Sequence, residues 1–110
     1  MPRREPGSPF IYSSLGTDPD LGELVEMFVN EMPDRIQVLQ DQANRHDWNQ
    51  LARAAHQLKG AAGGYGFDQI TPYAKELEQT AREGTAEERI LAALDRLIDL
   101  CNRARSGAAE

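Results

Sequence analysis

His56 and Lys59 are the side chains of this sequence best placed to act together on a helix surface, within the segment AHQLKGAAGGYG at residues 55–66. An exposed neutral imidazole is a nucleophile at neutral pH and can accept a phosphoryl group in line. Residues three apart share a helix face, so the Lys59 ammonium would offset the negative charge of a phosphorylated ring. At an exposed site that attraction is on the order of 1 kcal/mol. The spacing therefore favours His56 as the phosphate acceptor and Lys59 as its charge partner.

Small residues surround this histidine. Side chains on a helix lean toward its N-terminus, so residues three and four positions later overhang a given side chain. The later of the two is Gly60, although a glycine inside a helix costs about 1 kcal/mol relative to alanine. We therefore expect a surface that is clear for a large partner. Its predicted residues are Ala52, Arg53, Gln57, Gly60, Gly63 and Gly64.

Other interpretations exist for His56 and for the glycines of this segment. At 100° per residue, His56 lies about 140° from the middle of the apolar stripe of its helix, which argues against a buried core histidine. An ordinary surface histidine stays open as an alternative, and Gly64 and Gly66 suit a helix end and turn. The glycines lack the GK[ST] ending of a nucleotide-binding loop, and His46 and His56 lack a recognisable metal-ligand spacing. We expect no metal site.

The helices that must position these residues are predicted by apolar periodicity and by start signals. The predicted N-caps are Asp18 (before Pro19), Asp47 (with Gln50) and Thr85 (with Glu88). A third helix should start between residues 68 and 72, bury Tyr73 and end at Gly84. Pro33 interrupts the first helix without changing its phase, so we expect one kinked helix. No segment alternates as a half-buried strand does.

These segments predict an all-α fold, an antiparallel four-helix bundle of up-down-up-down topology with a kinked first helix and a short N-terminal strap. The predicted organisation is a tail or strap over residues 1–17, the bundle over 18–105 and a tail over 106–110. The initiating methionine favours a stand-alone protein.

Composition narrows the function classes. The chain has 110 residues, a net charge of −6 and a single cysteine, Cys101. The acidic balance disfavours nucleic acid as a partner. No apolar run is long enough to span a membrane, and the N-terminus lacks the apolar core of a signal peptide. We expect a cytoplasmic protein without a membrane partner. Five arginines are predicted to form a solvated face: Arg82, Arg89, Arg96, Arg103 and Arg105.

The segment 55–66 resembles the signature of histidine-containing phosphotransfer (HPt) domains, a histidine followed by Leu-Lys-Gly, small residues and a glycine. The likeness extends over about residues 18–103. It implies a helical bundle whose exposed histidine takes a phosphoryl group from the aspartate of one receiver domain and passes it to another. By this resemblance His56 is phosphorylated, Lys59 is the charge partner and Gly60 clears the approach.

The resemblance also implies the partners. They are receiver domains of response regulators and hybrid sensor kinases, and they supply the aspartate and Mg²⁺. The chain would then be a monomeric carrier, not an enzyme, with no cofactor of its own. A polar side chain of the adjacent helix would hold the second imidazole nitrogen; Glu78 and Gln79 are the residues considered, and a solvated face is the alternative for both. The alternative function is an interaction bundle that docks on receiver domains without phosphotransfer.

Overall fold

A computed structural model describes residues 10–84 and 86–107 of the chain. Its helices are α1 (Gly22–Asn44), α2 (Trp48–Gly64), α3 (Thr71–Glu83) and α4 (Glu87–Cys101). Successive helices are joined by short connections and pack against each other, and α1 also contacts α4. This arrangement confirms the predicted all-α antiparallel four-helix bundle. Among the described residues, no helix is both long enough and apolar enough to cross a membrane.

The core lies between the helices, and its apolar residues recur at helical spacing in α1, α2 and α4. The largest fully buried side chains are Phe28, Phe67, Leu39, Leu51, Leu58, Ile70, Leu77, Ile90, Leu97, Val25 and Cys101. In α3 one prediction was wrong, because Tyr73 is 39 % exposed whereas Ala74 is fully buried. Ala74 lies four residues after Ile70 and three before Leu77, so it occupies the face on which those two are buried.

The helix starts agree with the predicted signals only in part. Asp47 is the N-cap of α2, and its side chain accepts the backbone N–H of Gln50 at 3.2 Å. The prediction that Asp18 caps α1 was wrong, since α1 begins at Gly22. Asp18 instead caps the preceding turn, where its Oδ1 accepts the N–H of Leu21 at 3.1 Å. The helix continues through Pro33 without a break.

The predicted N-cap of α4 and parts of both chain ends lie outside the described residues. The predicted cap Thr85 lies outside them, and the residue at the N-cap of α4 is Ala86. Residues 1–9 of the predicted N-terminal strap and 108–110 of the predicted C-terminal tail also lie outside them.

A short parallel pairing that the sequence did not predict joins the two ends of the described chain. The strands are β1 (Ile11–Tyr12) and β2 (Ala104–Arg105), with Ile11 opposite Ala104. Beyond β1, the N–H of Ser14 donates to the carbonyl of Gly66 at 3.0 Å. Gly66 has a φ of +82°, and a Cβ there would lie 2.5 Å from the Ser13 hydroxyl. The N-terminal strap therefore ties the α2–α3 connection to the end of α4.

Candidate functional site

His56 projects from the middle of α2 on the side that faces away from the core, and 59 % of its side chain is exposed. Gly60, one turn further along α2, is also exposed. A Cβ built at Gly60 would have no atom within 4 Å. Since the residue at this position would overhang the ring, a glycine there leaves one approach to the imidazole clear.

Glu78 of α3 holds the inner edge of the imidazole. Its Oε2 lies 3.0 Å from His56 Nδ1, and its Oε1 accepts a hydrogen bond from Lys59 Nζ at 2.9 Å. The Glu78 side chain is only 10 % exposed, whereas that of Lys59 is 28 % exposed. One buried carboxylate thus connects the two residues that the sequence had placed on one face of α2.

Arg82, one turn after Glu78 on α3, adds a second cation. Its Nη2 lies 2.9 Å from the same Oε2 that contacts the imidazole. Burial raises the pKa of the Glu78 carboxyl, but hydrogen bonds and charges from Lys59 and His56 more than offset this effect. The net result is a Glu78 pKa below its ordinary value of 4.5. The carboxylate is therefore ionised at neutral pH.

The ionised carboxylate decides which ring nitrogen is available for chemistry. A carboxylate without a proton can only accept hydrogen bonds, so His56 Nδ1 is the nitrogen that carries the proton and donates it to Glu78 Oε2. In the neutral ring the lone pair then lies on Nε2, at the far edge of the imidazole. The site presents a nucleophilic nitrogen outward and holds the opposite nitrogen by a charge-assisted hydrogen bond.

The structure corrects two expectations about this site. Glu78 is not part of a solvated face, whereas Gln79 is exposed and the contact to His56 comes from Glu78. The Lys59 ammonium is bound to that carboxylate rather than standing free beside the ring. Arg82 is exposed, as expected for a solvated face, and it contacts the same carboxylate from the other side. These contacts depend on the register between α2 and α3, which cannot be read from the amino-acid sequence alone.

The predicted docking surface is exposed except at one position. Ala52 is 2 % exposed and belongs to the core, so it cannot contribute to an accessible surface. Because α2 packs against both α1 and α3, its buried face is wider than a single apolar stripe. The exposed members are Arg53, Gln57, Gly60, Gly63 and Gly64.

A groove beside this surface was missed by sequence reasoning. It has a volume of about 210 Å³ and lies between α1 and α2. Gln57 and Ala54 line it from α2, and Arg35 and Val38 line it from α1. Val38 is 46 % exposed. The sequence signal for this groove was Val38, a β-branched residue that directly precedes the core residue Leu39 of α1.

Comparison with known proteins assigns the family. The sequence model of the Hpt domain matches residues 23–107. The chain belongs to the Hpt domain family. The phosphorelay protein LuxU of Vibrio vulnificus strain YJ016 is 31 % identical over 86 residues, covering 76 % of this chain and 74 % of that protein. The chemotaxis protein CheA of Cereibacter sphaeroides is 36 % identical over 90 residues, covering 73 % of this chain.

These matches differ in extent. The aligned part of this Hpt domain spans only 13 % of the length of the CheA relative, whereas it spans most of LuxU. No solved structure matches the chain significantly. The family resemblance carried by residues 55–66 is confirmed, and the matched range includes His56, Lys59 and Glu78.

Proposed function

We propose that this Hpt domain is a phosphorelay carrier, in which His56 Nε2 takes a phosphoryl group from a receiver-domain aspartate and passes it to the aspartate of another. The observation that carries the proposal is the exposed imidazole whose Nδ1 is held by Glu78 at 3.0 Å. Membership of the Hpt family and similarity to a phosphorelay protein support a role in signalling between a kinase and a response regulator.

The transfer step needs no proton to leave the site. The Nε2 lone pair attacks phosphorus and forms the N–P bond, while the bond from phosphorus to the aspartyl oxygen breaks and leaves its electron pair on the aspartate. His56 Nδ1 keeps its proton, so the phosphorylated ring carries a positive charge next to the Glu78 carboxylate. That charge pair stabilises the ring within a partly water-excluded setting. Transfer to the second aspartate is the reverse step.

Lys59 and the bare surface support this step in different ways. The Lys59 ammonium lies on the Glu78 carboxylate and offsets charge on an incoming phosphoryl group by on the order of 1 kcal/mol. Gly60 leaves room for the receiver to approach Nε2, and the groove beside Gln57 offers apolar contact. We assign the Mg²⁺ to the receiver domain, and we propose that the Hpt domain lacks kinase activity of its own and acts as a monomer.

Phosphotransfer from a labelled receiver domain tests the proposal. Wild type should acquire acid-labile phosphate, and the His56→Gln variant should acquire none. His46→Gln is the matched control, because His46 is 60 % exposed and also lies beside a carboxylate, Glu87 at 3.3 Å. It should be labelled like wild type. Label that persists in His56→Gln would contradict the proposal, and a wild type that binds the receiver without label would favour the docking alternative.

A further inference from the structure

Arg82 contacts the oxygen through which Glu78 holds the imidazole. Its Nη2 is 2.9 Å from Glu78 Oε2, and that oxygen lies 3.0 Å from His56 Nδ1. Lys59 occupies the other carboxylate oxygen at 2.9 Å. Arg82 of α3 therefore fixes Oε2 of the carboxylate, and Lys59 of α2 fixes Oε1.

This arrangement differs from an ordinary surface ion pair. Arg82 is 58 % exposed, but its partner Glu78 is only 10 % exposed and is already engaged by the reactive ring. The acid precedes the base by four residues, which is the favourable order on a helix, and Arg82 lies in the last turn of α3, where the helix dipole favours a cation. Without Arg82 the carboxylate could pivot about its Lys59 contact and carry Oε2 away from Nδ1.

We propose that Arg82 is a positioning residue for phosphotransfer, acting through Glu78 to keep the His56 ring oriented with Nε2 outward. The proposal rests on the proposed carrier function. Because the Arg82 guanidinium is largely exposed, its contribution is screened, and we expect Arg82→Gln to slow transfer roughly two- to fivefold. The loss should appear in the rate at saturating receiver, with the half-saturating concentration unchanged, because Arg82 acts on the ring and not on the partner.

A double-mutant cycle separates this role from direct contact with the receiver. In the Glu78→Gln background the neutral amide no longer attracts the guanidinium, so adding Arg82→Gln should cause no further loss. Arg96→Gln is the matched control, because Arg96 makes an equally short ion pair with Glu76 of α3, at 2.8 Å, away from the imidazole. It should transfer at the wild-type rate. Additive losses, a raised half-saturating concentration or an unchanged rate in Arg82→Gln would each overturn the proposal.

A second readout requires no phosphoryl transfer. The ¹⁵N chemical shifts of the His56 ring report which nitrogen carries the proton. Wild type and Arg96→Gln should show a proton on Nδ1, and Arg82→Gln should show a mixture of the two tautomers. Identical shifts in wild type and Arg82→Gln would overturn the positioning role even if the carrier function fails. Absence of label in wild type would reject the carrier function by itself, so the two failures are distinguishable.

Discussion

Replacing Gly60 by leucine should raise stability and abolish most of the phosphotransfer in the same variant. Gly60 lies inside α2, and a Cβ there would meet no atom within 4 Å. Leucine is close to alanine in helix propensity, and glycine costs about 1 kcal/mol relative to alanine. Since the exposed part of a new side chain neither packs nor clashes, we expect a gain of roughly 0.5–1 kcal/mol in the free energy of unfolding. For a domain of this size the thermal midpoint should rise by about 2–8 °C.

The effect on transfer has the opposite sign. A leucine at position 60 leans toward the N-terminus of α2 and over His56, one turn away. In the proposed transfer the receiver brings its aspartate in line with Nε2, and a displacement of about 1 Å from the reactive geometry can cost on the order of 10²-fold in rate. We therefore expect a loss of that order in Gly60→Leu and a smaller loss in Gly60→Ala. Thermal unfolding by circular dichroism and transfer from a labelled receiver measure the two effects.

Gly64→Leu is the matched control for position. Gly64 is also exposed, and a Cβ there likewise meets no atom within 4 Å. It lies eight residues from His56, about 12 Å along the helix axis, compared with about 6 Å for Gly60. Its loss of transfer should be clearly smaller. Wild-type transfer rates in Gly60→Leu would refute the argument from clearance, and a lowered unfolding midpoint would refute the argument from helix propensity.

Three further predictions concern Glu78 and Gly66. Glu78→Gln should slow transfer about tenfold in the receiver assay, because a charge-assisted hydrogen bond to Nδ1 becomes a neutral one and the phosphorylated ring loses its counter-charge. The lowered pKa of Glu78 also means that its ionised form contributes stability above about pH 4.5, which is lost as the pH falls through the lower folded pKa. The difference in unfolding midpoint between wild type and Glu78→Gln should therefore shrink below that pH, and a difference that stays constant would contradict the assignment. Gly66→Ala should lower the unfolding free energy by about 1–3 kcal/mol, since it combines a positive φ with a clash against Ser13. Gly84→Ala shares the positive φ but meets no atom within 4 Å, so it should cost less, and equal losses in the two variants would disprove the role of the clash.

Features encoded by near neighbours in the chain were predictable. The N-cap Asp47 and the apolar stripe of α2 depend on residues within a few positions, and both appear in the structure. The error at Tyr73 is of one residue, or about 100° on the helix, and it arose because alanine gives a weaker periodic signal than an aromatic residue. Ala74 is small enough to lie flat against the neighbouring helix, and such positions are hard to recognise from hydrophobicity alone.

Features that depend on register between helices were not predictable. Glu78 is polar and lies beside an exposed Gln79, so nothing local distinguishes the residue that contacts His56 from its neighbour. The choice follows from the rotation of α3 in the bundle, which buries Ala74, Leu77 and Glu78 on one side of that helix. The pairing of β1 with β2 was not predicted for a related reason. Two residues are too few for alternation to be recognised, and the partner strand lies at the opposite end of the chain.

Under the proposed carrier function, the contacts of Glu78 explain how an acidic protein can receive an anionic group. The chain carries a net charge of −6, which disfavours the approach of an anionic phosphoryl group at long range. At the site itself one carboxylate faces two cations, Lys59 and Arg82, so the cluster with a neutral imidazole is positive by one charge. Both cations are held within hydrogen-bond distance of the carboxylate before any phosphoryl group arrives, so little reorganisation is needed when the charge of the ring changes. The ordered positive charge of this cluster therefore compensates for the unfavourable net charge of the chain at the proposed transfer site.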